Sequence, residues 1–316
     1  DVGAEHLPIS PKANQGQGRH VFKNLPWARW LASEAPDEGL PAGAFTTDAI
    51  RHLDSRPKDK PFFFTVGIGR PHDPYISPRK YFDLYKLEDM EIPHQPAMAS
   101  EEPYPITIPD YWQPIFEGAS DQDRRELSRA YLAGVSYLDA QVGRLLDALE
   151  ERGLEENTMV LLFGDHGHHM WTHGWWGKNT LFDDSARAAF LWRVPGLTPE
   201  GGVCPRVIEF VDIFPAMTAV CGLDTPDGLQ GRSIQPLLEN PRREWSSEAI
   251  TDVDRGASVR TERWRYVHWF ENHGEELYDH LNDPGEYYNL ADNPELKPVL
   301  KDLRSRLAKH FPEKVG

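Results

Sequence analysis

Asp165 and His166 stand side by side where a short apolar run ends, and they are the residues of this chain best placed to do chemistry. The run, Met159 to Phe163, is short and bounded by glycine, so it predicts a buried strand of a mostly parallel sheet rather than a helix. In open α/β sheets ligands bind outside the carboxyl ends of strands, which is where this pair falls. A carboxylate oxygen and an imidazole nitrogen can share a divalent cation. The plain alternative is a turn that caps a helix, and the dipeptide alone weighs the two equally. The segment after the pair favours a site. Between Gly167 and Lys178 come His168, His169, His173, Trp171, Trp175 and Trp176, a density of rings that a simple connection does not need.

A second candidate lies after another apolar, β-rich run, Phe62 to Ile68, which predicts a second buried strand. Just past it, Arg70-Pro-His72-Asp-Pro-Tyr75 carries two prolines that fix φ and stiffen the loop, so His72 is held rather than swinging. A surface-loop histidine is its bland reading. The two strand-end loops are expected to converge at one sheet edge.

The elements that must position these loops follow from periodicity and punctuation. Thr46 to Leu53 has capping residues before apolar positions at helical spacing. Asp121 to Arg152 repeats apolar residues at Leu127, Tyr131, Val135, Leu138, Val142, Leu145 and Leu149, an amphipathic helix stopped by Gly153. Ala189 to Val194 reads as a strand, and Asp212 to Gly222 as a helix closed by glycine. Residues 1–44, rich in Gly, Pro, Asn and Gln, read as irregular. Pro78 to Asp123 reads as a lid or rim. Its Arg79, Lys80, Lys86, Tyr104, Tyr111 and Trp112 can face a sugar or simply solvent, and the charges favour solvent. After Asn240 the pattern alternates over Glu248–Val253, Ala257–Thr261 and Trp264–Phe270, which predicts antiparallel strands, and Glu295–Phe311 predicts a last helix. The expected organisation is an α/β domain over 1–240, a mostly parallel central sheet flanked by helices, with a small α+β subdomain over 241–316.

Composition narrows the function. The 316 residues are 39% hydrophobic, ordinary for a globular chain, and no run approaches a membrane span. The start, Asp1-Val-Gly-Ala-Glu-His, has no basic region and no apolar core, so no signal peptide is expected. A net charge of −16 argues against nucleic-acid binding, which needs a basic face. Cys204 and Cys221 make no disulfide framework and are expected to be buried free thiols.

With these residues in view, the chain resembles the type I sulfatases of the alkaline-phosphatase-like superfamily, with most likeness to the iduronate-2-sulfatase branch. The likeness rests on Gly164-Asp-His-Gly, on His173-Gly-Trp-Trp-Gly-Lys178-Asn-Thr, and on Phe182-Asp-Asp-Ser-Ala-Arg187 leading to Pro195-Gly196. Lys60-Pro-Phe-Phe-Phe-Thr-Val-Gly67 with the His72 loop, the helix around Val135-Ser-Tyr-Leu-Asp139, and Glu276-Leu-Tyr-Asp279 with Asp283-Pro284 and Asn289-Leu290 agree. The resemblance implies hydrolysis of a sulfate ester on a small molecule or glycan. It gives Asp165 and His166 to the metal, Lys178 to the sulfate, and His72 to the substrate and the leaving oxygen. His173 is placed with the substrate group, where it orients Lys178 or simply packs. Calcium is the implied ion, with zinc or manganese as alternatives because imidazole suits them better. Family members are periplasmic, secreted or lysosomal.

One feature of the family has no match. Its nucleophile is a formylglycine made from Cys or Ser in Cys/Ser-x-Pro-x-Arg, after a strand ending in paired metal-binding aspartates. Neither cysteine has that sequel, and no Asp-Asp pair precedes Asp183. The fold is therefore expected to be N-terminally incomplete, the missing portion a possible partner, and the chain alone inactive. The alternatives are a zinc phosphodiesterase of the same superfamily and a non-catalytic, ligand-binding fragment. A −16 chain repels an anionic ester at long range, so Lys178, Arg70, His72 and a cation must supply the local positive field, with salt screening the rest beyond roughly 8–10 Å.

Overall fold

The computed structural model describes residues 9–22, 28–94, 96 and 118–315. They form two compact units: one from residues up to 92 together with 118–157, the other from 158 onward with 93–94 and 96. Each mixes helices with sheet, in keeping with the α/β class. No helix among the described residues is long and apolar enough to cross a membrane.

In the first unit, β1 (Gly16–His20) pairs antiparallel with β2 (Arg29–Ser33), and β3 (Tyr75–Pro78) joins β2 in parallel. These first strands fall in the stretch expected to be irregular. A ladder partner and the burial of Trp30, Leu31 and Ala32 outweigh the poor strand propensity of the Gly- and Gln-rich sequence. The long helix Asp121–Glu151 packs on this sheet, and the helix Pro41–Ser55 packs on the long helix. The long helix begins where its capping box predicts: the Ser120 hydroxyl accepts from the Asp123 N–H at 3.2 Å, and the Asp123 carboxylate accepts from the Ser120 N–H at 3.0 Å.

Its buried face differs from the expected stripe. Leu127, Ala130, Ala133, Gly134 and Tyr137 are buried, while Val135 is 38% exposed. Close approach explains the small residues, since a Cβ on Gly134 would stand 3.1 Å from the Pro71 Cβ. The helix therefore braces the proline-framed loop that carries His72.

The run from Phe62 to Ile68 is a correction. Residues 61–69 form no ladder among the described residues, and Phe63 is 78% exposed. Apolar, β-rich composition gives an extended chain, but a buried strand also needs a partner edge. In the lid segment, Arg79 pairs with Glu34, Lys80 lies 2.8 Å from Asp37, and Lys86 is exposed. Tyr104, Tyr111 and Trp112 lie outside the described residues.

In the second unit, β4 (Val160–Phe163) is a strand as expected, but it pairs antiparallel with β7 (Phe190–Arg193) and is not buried. Leu162 is 37% and Phe163 47% exposed, with the Phe163 ring edge-on to Phe210 at 5.6 Å. β5 (His169–Met170) and β6 (Trp176–Gly177) form a small hairpin. A four-stranded antiparallel sheet comes next, in the order β11 (Gly274–Asp279), β10 (Trp264–Trp269), β9 (Gly256–Arg260), β8 (Ala249–Val253). Its two faces obey the period of two. Tyr266 joins Val259 and Leu277 against Leu303 and Leu307 of the helix Lys297–Ala308, while Val267 and Trp269 turn the other way and pack on Leu181. Cys204 and Cys221 are free as expected, but both are exposed rather than buried.

Candidate functional site

The β4–β7 ladder extends to Gly164, whose N–H donates to the Ala189 carbonyl at 3.0 Å. Beyond it the chain turns, and Asp165 projects into solvent with 86% of its side chain exposed. Gly167 is required by contact: a Cβ there would stand 2.1 Å from the Asp184 carbonyl oxygen and 2.3 Å from that of Arg187. This fit lays the Asp165–His166 turn directly on the short helix Asp183–Ala186.

Hydrogen bonding fixes the state of His166. Its Nδ1–H donates to the Gly167 carbonyl at 2.7 Å, and its Nε2 meets the Lys178 Nζ at 2.8 Å. An ammonium only donates, so Nε2 accepts and the ring is the neutral Nδ1–H tautomer. Asp165 Oδ1 lies 3.5 Å from the same Nε2. A carboxylate oxygen, an imidazole lone pair and an ammonium thus gather at the end of β4.

Lys178 is held by the hairpin that precedes it. Trp171, Trp175 and Trp176 are all buried, with the Trp171 and Trp176 rings 5.0 Å apart. The Trp175 indole N–H donates to the Lys178 carbonyl at 3.2 Å. The aromatic density of the sequence is therefore a miniature core beneath the lysine. Trp171, His173 and Asn179 hold φ of 72°, 54° and 72°, left-handed values that cost roughly 1–2 kcal/mol each outside glycine and persist only where packing dictates them.

His169, left unassigned by the sequence, is what pins the far side of this loop. It is fully buried, with Nδ1 2.9 Å from the Thr172 hydroxyl and Nε2 2.8 Å from that of Thr180. The Thr172 hydroxyl donates to Asp184 at 2.6 Å, and Thr180 and Ser185 share a bond of 2.8 Å. Burial pushes the His169 pKa down to about 3, so the ring stays neutral between its two hydroxyls. Burial likewise takes His168 down to about 3, its ring edge-on to Trp176 at 5.0 Å. A buried histidine flanked by threonines at +3 and +11 is the signal that was available in the sequence.

His173 has the contacts of a packed ring. It stacks between Phe182 at 4.1 Å and Tyr287 at 4.6 Å, and its Nε2–H donates to the Gly285 carbonyl at 2.9 Å. Of the two jobs open to it, packing is the one these contacts describe. His72 belongs to the first unit, where its Nδ1–H donates to the Asp73 carbonyl at 2.8 Å and 59% of its side chain is exposed.

A second charged cluster lies behind Asp183. Arg265 is 1% exposed; its guanidinium donates to Glu286, to Asp183 at 2.6 Å and to Ser258 at 3.2 Å. His280 Nε2 reaches Glu286 at 2.8 Å, and the Asp183 N–H donates to Glu286 at 2.6 Å. Burial alone would raise the Glu286 pKa, but the Arg265 charge and the His280 bond hold it down to about 2. Asp183, His280 and Glu286 have ligand atoms within 4.8 Å of one another and by position could hold a metal ion. The guanidinium already takes oxygens of both carboxylates, so a divalent cation would meet a buried positive charge there. Beside this second cluster lies a cleft of about 410 Å3 lined by Gly167, His168, Thr172, Asp183, Glu286 and Tyr287, among others.

The donor set around Asp165 fits a cation better. Asp165 and the His166 Nε2 lie 3.5 Å apart and can ligate one ion, Asp165 is open to solvent, and the positive group at Nε2 is a lysine on a flexible stem rather than a buried guanidinium. One oxygen and one imidazole suit zinc or manganese and are acceptable to calcium when further oxygens join.

Comparison with known proteins identifies the family. The sulfatase family model matches residues 12–223, and a model described as the C-terminal part of N-sulphoglucosamine sulphohydrolase matches 171–313. An arylsulfatase of Clostridium perfringens is 31% identical over 280 residues, covering 86% of this chain and 58% of the relative. The iduronate 2-sulfatase of Mus musculus is 26% identical, covering 93% of this chain and 69% of the relative. Among solved structures, BT4656 in complex with its substrate D-glucosamine-2-N,6-O-disulfate superimposes with a TM-score of 0.70 at 22% identity, covering 89% of this chain and 70% of that one, which shows the shared fold. The chain spans about half the length of the curated sulfatases it matches at the highest identity. With two family models that between them run from residue 12 to residue 313, the chain belongs to the sulfatase family.

Proposed function

We propose that this chain carries the metal- and sulfate-contacting part of an enzyme that hydrolyses sulfate esters, with a sulfated sugar as the substrate class. The observation that carries the reading is the meeting of the Lys178 ammonium, the His166 imidazole and the Asp165 carboxylate at the end of β4 in a member of this family. The disulfated glucosamine held by the structural neighbour supports the substrate class.

In this reading Asp165 and His166 hold the ion, which when bound neutralises charge on the sulfate oxygens. Lys178 binds a sulfate oxygen and keeps its donors aimed at the group where negative charge grows, the kind of fixed electrostatics that usually contributes most to catalysis. His72, whose Nδ1–H is given to the Asp73 carbonyl, is the proposed proton donor to the leaving oxygen, as the imidazolium, losing the Nε2 proton and returning to the neutral ring. His173 and the three tryptophans serve by packing. The formylglycine motif has no match in the 316 residues, so the chain by itself is proposed to be inactive.

The test joins this chain to an upstream sulfatase segment bearing the nucleophile motif and assays sulfate against phosphate esters, first with calcium and then with zinc. Sulfate-selective turnover is expected, lost in His72→Ala. Preference for phosphate diesters with zinc would replace this reading with the phosphodiesterase one. Turnover by the unjoined chain would overturn the proposed inactivity.

A further inference from the structure

We propose that Lys178 is a built-in competitor for the cation site: its ammonium and a divalent ion are alternative occupants of the one lone pair on His166. The inference rests on the reading of Asp165 and His166 as cation ligands and concerns what Lys178 does there. With Nδ1–H committed to the Gly167 carbonyl, the neutral ring offers a single lone pair, at Nε2, and Lys178 Nζ takes it at 2.8 Å. Zinc binds imidazole at roughly 2.0–2.1 Å along that same direction. An ammonium left in place would then stand within about 1 Å of the ion, closer than any two cations can come. The two occupants exclude each other.

The lysine can leave without the loop moving. Its backbone is tied by the Trp175 indole, and Thr180 two residues on is tied by His169, whereas the side chain is a flexible four-carbon stem. Ion binding therefore turns the ammonium off Nε2 and leaves its three donors beside the ion, available to an anion. Cation and anion binding become coupled through one side-chain movement, and the coupling is reciprocal.

The probe is zinc alone, titrated into the full chain and followed by calorimetry and by the proton–nitrogen NMR signals of the His166 ring. Lys178→Met is expected to bind zinc about tenfold to a hundredfold tighter than the natural chain, the range set by a hydrogen bond from a charged donor. Lys178→Arg, which keeps a competing cation, is expected to stay near the natural affinity. Arg187→Met removes an exposed charge without touching Nε2 and is expected to change affinity by less than about threefold, the scale of a screened surface charge. In the natural chain, the His166 Nε2 signal and the Lys178 ε-methylene signals should move together as zinc is added. Equal zinc affinity in Lys178→Met, or a ring signal that moves while the lysine signals do not, overturns the competition and leaves the cation site standing. No zinc response at Nε2 in any variant overturns both.

Discussion

Two clusters in the second unit are made from the same kinds of side chain. Asp165, His166 and Lys178 gather at the end of β4; Asp183, Glu286, His280 and Arg265 gather behind the hairpin. In the first, the carboxylate is 86% exposed and the basic group meets, among the described residues, a side-chain nitrogen. In the second, Arg265 is 1% and Glu286 2% exposed, and the guanidinium reaches two carboxylates and a hydroxyl. Burial with full hydrogen bonding makes a latch; exposure with sparse bonding makes a site whose occupants can exchange. The latch also serves the site. Asp183 opens the short helix on which Gly167 rests, so the C-terminal sheet fixes the surface under Asp165.

The sharpest way to break the comparison is to remove the buried guanidinium. Arg265→Met strips the buried Glu286 of its guanidinium, leaving it the His280 bond, leaves Asp183 to Arg260 and Arg187 at longer range, and is expected to cost roughly 3–5 kcal/mol in urea unfolding of the chain. A loss under about 1 kcal/mol would rank the cluster with ordinary surface pairs.

Lys178→Ala probes the other cluster. In the chain joined to a nucleophile-bearing segment, kcat is expected to fall roughly a hundredfold to a thousandfold, the scale of removing one preorganised donor, while the unfolding midpoint of the chain stays nearly unchanged. If stability falls as it does for Arg265→Met, Lys178 is a structural residue and the contrast fails.

Acid should separate the groups by window. The His169 pKa is held down to about 3 by burial against an ordinary 6.5, so between those values the unfolded chain binds the extra proton and stability falls as pH drops. Glu286 is depressed to about 2 from an ordinary 4.5, so its contribution is complete above 4.5 and is lost as pH falls towards 2. His169→Gln should flatten the upper part of the stability–pH curve and Glu286→Gln the lower part. If each variant leaves its own window with the natural slope, neither group is the source of the acid sensitivity.

How much of the fold and site was legible in sequence depends on how local each cause is. The long helix, β4, β7 and the strands after residue 248 were readable because period and punctuation lie within a few residues of each other. That Asp165, His166 and Lys178 meet at one strand end follows from their lying within fourteen residues of one another. Phe62–Ile68 misled because strand burial depends on a partner far away in sequence. The latch was missed for a similar reason. Arg265 sits at an inward position of an alternating strand, and its partners Asp183 and Glu286 are eighty-two and twenty-one residues away. A charged residue where the alternation demands an apolar one was the visible clue.

The smallest effect tests the comparison from the opposite side. Asp165→Asn changes an exposed carboxylate that has no buried partner among the described residues, so unfolding free energy should move by no more than about 0.5 kcal/mol. The matched change Asp183→Asn removes a charge that Arg265 and Arg260 both address, and should cost a few kcal/mol by the logic of buried pairs. Zinc affinity should order the two variants the other way, with Asp165→Asn weakening binding and Asp183→Asn leaving it close to natural in the fraction that remains folded. Should Asp183→Asn be the variant that abolishes zinc binding while the fold survives, the ion belongs with Asp183, His280 and Glu286, and the roles of the two clusters are exchanged.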